Sequence, residues 1–220
     1  MIWIIITTEQ HGGAEKRFTG IWEGLVSCAA YNEPVKLVLP PYLFTLFSQS
    51  IEFKESFEKF RSSIIIYDFN YTAGVSVLRK KISDFVFSHT KEGDTLHFID
   101  NHPLKSFKNR RVVFSVTQSS LKNLSFKGKT AQLLAILFSQ KTDVLDPGIY
   151  KFVSRLFFMK RKTISQTPGS FCNTTLFKPV NWADKKNWIV FTGRLEPVKQ
   201  IVNFAKAIPA VYEAVDGKAK

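Results

Sequence analysis

The sequence predicts an α/β protein with a doubly wound parallel sheet, and three observations support this. Short runs of β-branched and apolar residues alternate with longer stretches of helical periodicity along most of the 220 residues. Several of the short runs are apolar on both faces, as in strands that helices cover on both sides. The 21 Phe residues supply a large core and argue against disorder.

The first elements follow in a regular order. Residues 2–7 are apolar throughout and predict a buried strand, followed by a glycine-containing turn and a helix over about 14–30. A strand, a short helix, a strand and a helix are then expected at Val35–Leu39, 42–49, 63–69 and 73–88.

The pattern continues with two strands separated by a basic turn, Thr95–Ile99 and Arg111–Val116. The remaining elements are a helix over 130–138, a strand over 142–145, a helix that begins at 146–148 and a last strand over 163–166. Pro147 suits the first turn of the third of these. Strands that alternate with crossover helices at this spacing become parallel, so the predicted domain is Rossmann-like.

The regular pattern stops at residue 168. Turn-forming and polar residues, among them Pro179, predict an interdomain linker over 169–187. A strand over 188–192 and a helix over 198–215 then restart the cycle, but one strand and one helix cannot close a core. We therefore expect a domain over 1–168 and, over 188–220, the truncated start of a second Rossmann-like domain.

The charge of the chain predicts a polyanionic neighbour. Thirty-one Lys and Arg against 18 Asp and Glu give a net charge of +13, which suits nucleic acid, an anionic membrane surface or a phosphorylated ligand. The stretches 105–111 and 151–162 combine basic residues with aromatics. No nucleic-acid-binding motif accompanies them, so nucleic acid is not an expected partner.

The stretch 151–162 is predicted to be one amphipathic helix, with Phe152, Leu156 and Met159 on one stripe. Two interpretations are open. The helix lies on an anionic membrane surface, or its stripe packs in the core and its basic side faces solvent.

The cysteines and the amino-terminal segment predict the cellular compartment. Cys28 and Cys172 are far apart in no metal-like spacing, which predicts no disulfide framework, and Cys28 is interpreted as a buried thiol. The apolar start is too short for a secretory signal. These features predict a cytoplasmic protein that is peripheral at the inner face of the membrane.

The first motif lies directly after the first predicted strand, where His11, Gly12 and Gly13 precede Ala-Glu-Lys-Arg. Glycines there let a ligand approach the backbone, and the helix start offers free N–H groups to an anion. The alternative is a tight turn with a solvated Glu-Lys-Arg face.

The second motif, Gly-Arg-Leu-Glu-Pro-Val-Lys over 193–199, lies between the predicted strand and helix of the second unit. Arg194 and Lys199 could converge on a diphosphate, the first as a planar fork and the second as a point charge. The alternative is a solvated basic turn.

A polar cluster follows the strand Thr95–Ile99. His97 lies in the middle of that strand and is expected to be packed, whereas Asp100, Asn101 and His102 fall at its carboxyl end. Ligands bind at that edge of a parallel sheet, so these three are candidates for acceptor binding. A metal site is not expected, because no Cys or paired carboxylates complete the cluster.

Together, Gly-Gly-Ala-Glu-Lys over 12–16 and the motif over 193–199 resemble family 4 of the retaining glycosyltransferases. The stretches 167–171 (Thr-Pro-Gly-Ser-Phe) and 177–179 (Phe-Lys-Pro) are similar to the interdomain crossing of that family. The motifs stand in the order of the family, and the resemblance covers nearly all of the chain. It implies the GT-B architecture, in which two Rossmann-like domains face each other.

The resemblance implies sugar transfer with retention from a nucleotide-sugar donor to a glycan or lipid-linked acceptor, in cell-surface polysaccharide synthesis and without a cofactor or metal. Gly12 and Gly13 would then face the reacting centre, and Arg194 and Lys199 would neutralise the departing diphosphate. An alternative is a non-catalytic module that binds glycan or membrane.

The sequence departs from the family in two places. Many members have a His where this chain has Thr117, so sugar contact would pass to Thr117, Gln118 or Ser119, whereas general-base work would not. The Glu-x7-Glu motif that grips the donor is absent from the 220 residues. We therefore expect a fragment that is inactive by itself.

Overall fold

The computed structural model describes residues 1–8, 12–99, 101–117, 125–167, 181 and 201–214, with the backbone alone at 160 and 161. The chain divides into two compact units, Met1–Cys172 and Asn173–Lys220. The predicted domain and linker boundaries fall on residues outside the described ranges and stay predictions.

The first unit contains one sheet of seven strands, which are all parallel to their neighbours. The strands lie in the order β3-β2-β1-β4-β5-β6-β7. In chain order they are β1 (Ile2–Ile6), β2 (Val35–Leu39), β3 (Ile64–Ile66), β4 (Thr95–Ile99), β5 (Arg111–Val116), β6 (Lys141–Val144) and β7 (Ile164–Gln166). This confirms the doubly wound, Rossmann-like α/β fold.

Helices cover both faces of the sheet. They are α1 (Gly13–Ser27), α2 (Pro41–Gln49), α3 (Lys54–Lys59), α4 (Val75–His89), α5 (Phe126–Phe138) and α6 (Pro147–Leu156). The α1-side core packs α1, α2 and α3 against Ile4 and Ile6 of β1. The α4-side core packs α4, α5 and α6 against a set that includes Trp3 and Ile5. Successive side chains of β1 point to opposite faces of the sheet and therefore pack in two different cores.

Several elements form as the sequence predicts because their local signals agree with the fold. Strands β2, β4 and β5 have the predicted bounds. Pro147 occupies the first turn of α6, and the Asp146 side chain caps that helix by accepting a hydrogen bond from the Ile149 N–H at 2.8 Å. The short edge strand β7 also forms.

Three expectations were wrong. The predicted helix over 151–162 ends at Leu156, and a 3-10 segment over Phe158–Thr163 follows. Cys28 is exposed because it caps the carboxyl end of α1 instead of lying inside it. Strand β3 ends at Ile66, since the chain then turns towards Asn70, which has a left-handed φ of 51°.

In the second unit, the structure describes Asn181 and one helix, α7 (Ile201–Ala214), which contains Pro209. The strand expected over 188–192 lies outside the described residues. None of the helices in the described part of the chain is long and apolar enough to cross a membrane.

Candidate functional site at the carboxyl edge of the sheet

The carboxyl edge of the sheet carries buried polar residues where the strand order reverses. Thr7 and Thr8 follow β1 and are buried, and Asn101 follows β4. The Asn101 Nδ2 donates a hydrogen bond to the Thr7 Oγ1 at 3.0 Å. Strands β1 and β4 are neighbours whose onward connections leave towards opposite edges, so this hydrogen bond lies at the topological switch point, the usual ligand position in such sheets.

The first motif places the amino terminus of α1 at the same edge. Gly12 is the N-cap, with an extended backbone, and as a glycine it offers no side chain to cap the helix. A Cβ at Gly13 would meet nothing within 4 Å, so this exposed residue leaves room for a ligand to approach the backbone. The first-turn N–H groups of α1 therefore lie at the edge where the motif predicts them.

The Glu15 side chain places a negative charge beside the helix start. It is buried, and its Oε2 lies 3.0 Å from the position that a Cβ on Gly12 would occupy. A carboxylate in the first turn already complements the positive end of the helix. A phosphate at Gly12 would meet this negative charge, whereas a sugar hydroxyl would not, so the turn suits a hydroxyl better than a phosphate.

The face of α1 that the sequence left as a possible solvated surface is largely buried. Glu15 and Arg17 are 5% and 8% exposed. Lys16 is partly exposed and pairs with the Glu52 carboxylate, at 3.2 Å between Nζ and Oε2. The solvated interpretation was therefore wrong for two of the three charged residues.

Arg17 belongs to a buried polar network, which consists of Arg17, Asp143, Thr167, Ser115 and His97. The Arg17 NH2 donates to the Thr167 Oγ1 at 2.7 Å, and its NH1 lies 3.6 Å from the Asp143 Oδ2. The Thr167 hydroxyl donates to the other Asp143 oxygen. The network ties the first helix to the residue that follows β7.

The network continues along the sheet and sets the state of His97. The Ser115 Oγ donates to Asp143 at 3.1 Å and lies 2.8 Å from the His97 Nε2. Because the only hydroxyl proton of Ser115 goes to Asp143, the His97 Nε2 must carry a proton and donate. Burial lowers the pKa of His97 to about 4; Asp143 opposes this shift and Arg17 adds to it. His97 is therefore neutral at pH 7 and packed, as predicted, with its ring edge-on to Phe18.

The other predicted site residues divide into two groups. Thr117 follows β5 at the carboxyl edge and is half-buried, and His102 is buried behind Asn101. Asp100, Gln118, Ser119, Arg194 and Lys199 lie outside the described residues. The structure thus brings Gly12, Gly13, Asn101, His102 and Thr117 to one edge, and their roles stay predictions.

The basic stretch 105–111 has a structural use. Arg110 donates from Nε and NH2 to the hydroxyl and carbonyl oxygens of Thr90, both at 2.8 Å. The Lys105 Nζ lies 4.6 Å from the centroid of the Phe87 ring. These contacts fasten the connection between β4 and β5 to the end of α4.

Sequence reasoning missed Arg17, Asp143 and Thr167 as a network. One signal was available, since Asp143 is a charged residue inside a short strand and therefore needs a partner. Nothing local pointed to its partners, because Arg17 and Thr167 are 150 residues apart.

The fold and its edge define a Rossmann-like α/β unit whose switch point carries the neutral Asn101 and Thr7 side chains, with the Glu15 carboxylate in the adjoining turn. Among the residues described, no three His, Cys, Asp or Glu side chains are grouped so as to hold a metal ion. Comparison with known protein families, with curated proteins and with solved structures finds no match for this chain.

Proposed function

We propose that this chain acts in sugar transfer as the acceptor-side part of a retaining glycosyltransferase that resembles family 4. The observation that carries the proposal is the switch-point edge, where the Asn101–Thr7 hydrogen bond follows β4 and β1 and the Gly12-Gly13 turn opens α1. Neutral amide, hydroxyl and backbone groups are the donors and acceptors that bind sugar hydroxyls.

In the proposed reaction, an acceptor hydroxyl oxygen bonds to the anomeric carbon of the donor sugar. The bond from that carbon to the diphosphate oxygen breaks, the hydroxyl proton leaves with the diphosphate, and the nucleoside diphosphate is released. Negative charge develops on the leaving group, and Arg194 and Lys199 are the cations proposed to stabilise it. Glu15 supports the assignment of Gly12 to the acceptor, since its carboxylate would repel the diphosphate.

Because the chain is expected to be inactive by itself, the test fuses it to a donor-side half that carries the Glu-x7-Glu motif. It measures release of nucleoside diphosphate from a panel of UDP-, GDP- and ADP-sugars in the presence of glycan and lipid-linked acceptors. Arg194→Ala and Lys199→Ala are each expected to lower transfer about 100-fold, as loss of one charge-stabilising group does elsewhere. Lys206→Ala is the matched control, because Lys206 is exposed on α7. Equal transfer by all three variants contradicts the diphosphate assignment, and no transfer with any donor contradicts the function.

A second variant tests the acceptor side. A Cβ at Gly13 meets no protein atom, so Gly13→Ala is expected to leave the fold intact. If an acceptor approaches this backbone, the added methyl group raises KM for the acceptor and leaves KM for the donor unchanged. Unchanged acceptor kinetics would remove the turn from the site.

The alternative, a non-catalytic module that binds glycan or membrane, is favoured by one surface. The α6 surface consists of the exposed Phe152, Leu156, Phe158 and Met159, with exposed Lys151 and Arg155. The predicted apolar stripe is therefore not packed in the core. Apolar side chains beside basic ones suit the headgroup region of an anionic bilayer, and we propose peripheral contact there.

A vesicle-binding experiment tests whether the α6 surface contacts an anionic membrane or is only an exposed surface without a partner. Lys151→Glu with Arg155→Glu is expected to weaken binding to phosphatidylglycerol-containing vesicles about tenfold or more, at about 1 kcal/mol for each lost cation. Lys54→Glu on α3 is the control, since Lys54 is exposed away from α6. If the double variant binds as tightly as the wild type, the α6 surface is not the contact. Membrane binding without any sugar transfer would favour the non-catalytic module.

A further inference from the structure

A pocket of about 410 Å³ lies between α4 and α5, beside the carboxyl ends of β4 and β5. Its size is within the range of small-molecule sites. Asn101 lines this pocket with one side chain that also reaches Thr7, so the pocket adjoins the switch-point edge. It lies wholly within the first compact unit.

His102 lines this pocket and carries a buried hydrogen-bond donor. The residue is 3% exposed, and its Nδ1 accepts the Leu104 N–H at 2.9 Å. Burial lowers the pKa of His102 to about 4, and Arg79 adds to this shift. The ring is therefore neutral at pH 7, and because Nδ1 is the acceptor, the proton is on Nε2. That Nε2 is buried and has no hydrogen-bond partner among the residues that the structure describes.

The rings around His102 fix this donor in place. Phe98 and Phe114 contact it edge-to-face, with centroids 5.2 and 5.7 Å away, and Phe138 lies parallel to it at 6.4 Å. The imidazole cannot swing to another partner without disturbing these contacts. The unpaired N–H is therefore a fixed feature of the pocket.

Gln132 presents an unpaired acceptor in the same wall. It is 8% exposed on α5, and its Oε1 is buried without a hydrogen-bond partner in the described ranges. A buried polar atom that lacks a partner destabilises the fold, so two in one pocket indicate that ordered water or a ligand supplies the missing partners there.

The described lining of the pocket carries positive charge. Arg79 and Lys127 line it, and the described lining residues include no carboxylate. Burial lowers the pKa of Arg79, whose guanidinium has neither a hydrogen bond nor a salt bridge in the described part of the chain. The first turns of α4 and α5 also contribute Val75, Ser125 and Gly128 to the wall. Both helix starts and both cations favour an anion.

We propose that this pocket binds a hydroxylated sugar anion, either a sugar acid or a sugar phosphate. Its anionic group pairs with Arg79 and Lys127, one of its oxygens accepts from the His102 Nε2, and one of its hydroxyls donates to the Gln132 Oε1. As the acceptor class of the proposed transferase, this ligand rests on the proposed function. Binding itself does not require sugar transfer.

The test uses the purified chain and four probes: glucuronate, glucose 1-phosphate, glucose and inorganic phosphate. Calorimetry measures affinity, and imidazole nitrogen NMR follows His102. At least one sugar anion is expected to bind about tenfold or more tightly than both glucose and inorganic phosphate, and to shift the His102 Nε2 signal. The glucuronate and glucose 1-phosphate arms decide between carboxylate and phosphate. Equal binding of all four probes, or no change at His102, overturns the proposal.

Variants locate the contacts. Arg79→Gln is expected to weaken binding of the sugar anion about tenfold or more, whereas Lys80→Gln, the adjacent exposed residue on α4, leaves it unchanged. Gln132→Leu removes the unpaired oxygen, so it is expected to weaken the sugar anion and not inorganic phosphate. Thermal unfolding confirms that each variant is folded. Equal affinities for the Arg79 and Lys80 variants overturn the charge assignment.

The outcome is separable from that of the proposed function. Anion binding by the chain that depends on Arg79, without transfer from any nucleotide sugar by the fusion to a donor-side half, would contradict the transferase and support the pocket. Transfer to neutral acceptors, without anion binding, would support the transferase and sink the pocket.

Discussion

Helix α1 rests on two very different surfaces. Near its carboxyl end, Trp22 packs edge-to-face on Phe57 and Phe60, with centroids 5.5 and 6.3 Å away. Near its amino end, Arg17 enters the polar network around Asp143. Apolar packing is non-directional and holds the helix on the sheet, whereas hydrogen bonds and charge have fixed geometry and set where its first turn lies. The first surface serves stability, and the second positions the candidate site.

The largest expected loss of stability comes from a substitution in the apolar surface. Trp22→Ala removes a fully buried indole whose Nε1 donates to the Ser63 Oγ at 3.1 Å. We expect a loss of about 4 kcal/mol in the free energy of unfolding, from lost transfer energy and the cavity that remains. Urea unfolding measures it. A loss below about 1 kcal/mol would mean that the aromatic cluster does not hold the helix.

The next largest loss of stability is expected from a substitution in the polar network. Asp143→Ala leaves the Arg17 guanidinium buried without its carboxylate, which is expected to cost about 3 kcal/mol. Replacing both partners, Arg17→Met with Asp143→Leu, is expected to recover most of that stability. A double variant as unstable as the single one would show that the pair itself, and not an unpaired charge, accounts for the loss.

Acid should weaken the network before the aromatic cluster. The folded-state pKa of His97, about 4, lies below the ordinary value of 6.5, so the unfolded chain binds more protons between these values. The contribution of His97 is present above about pH 6.5 and is lost as the pH falls towards 4. Between pH 7 and pH 5 we expect a loss of about 2 kcal/mol. His97→Gln keeps an N–H donor for Ser115 and should remove the His97 share of the pH dependence, while His102, whose pKa burial also lowers to about 4, keeps its own share. An unchanged dependence would assign the His97 share to other groups.

The smallest effect concerns the helix start. A Cβ at Gly12 would lie 3.0 Å from the Glu15 Oε2, whereas one at Gly13 meets open space. Gly12→Ala is therefore expected to cost about 1 kcal/mol because the buried carboxylate must shift. Gly13→Ala, by contrast, is expected to be neutral or stabilising by about 0.5 kcal/mol. Equal stabilities of the two variants would show that Glu15 moves freely.

The sequence predicts most of the sheet because the information for a buried parallel strand is local. Strands β4 and β5 are short, mainly apolar runs between polar turns, and their bounds follow from this local pattern. Helix α5 begins at Phe126 and not at residue 130, although Ser125, which accepts a hydrogen bond from the Gly128 N–H, was a visible N-cap signal. The short helix α3 has too few residues for a periodic pattern and was missed.

For the candidate site, the sequence predicted which residues follow an individual strand, but not which residues from different elements come together. Asn101 and His102 could be placed at the carboxyl edge because β4 was correctly bounded. The unpaired atoms of His102 and Gln132 were not predictable, because they depend on which side chains share a pocket. The same holds for Arg17, whose local sequence reads as a surface and whose partners are set by the order of the strands.

The hydrogen bond between Arg17 and Thr167 also constrains the order of folding. It spans 150 positions, so the loop that it closes is nearly the whole first unit. During synthesis, Asp143 and Thr167 emerge from the ribosome long after α1 has met β1 and β2. Until β7 adds to the sheet edge, the guanidinium has no hydroxyl to receive its N–H. The first turn of α1 is therefore expected to reach its native position last, because contacts between residues far apart in sequence form slowly.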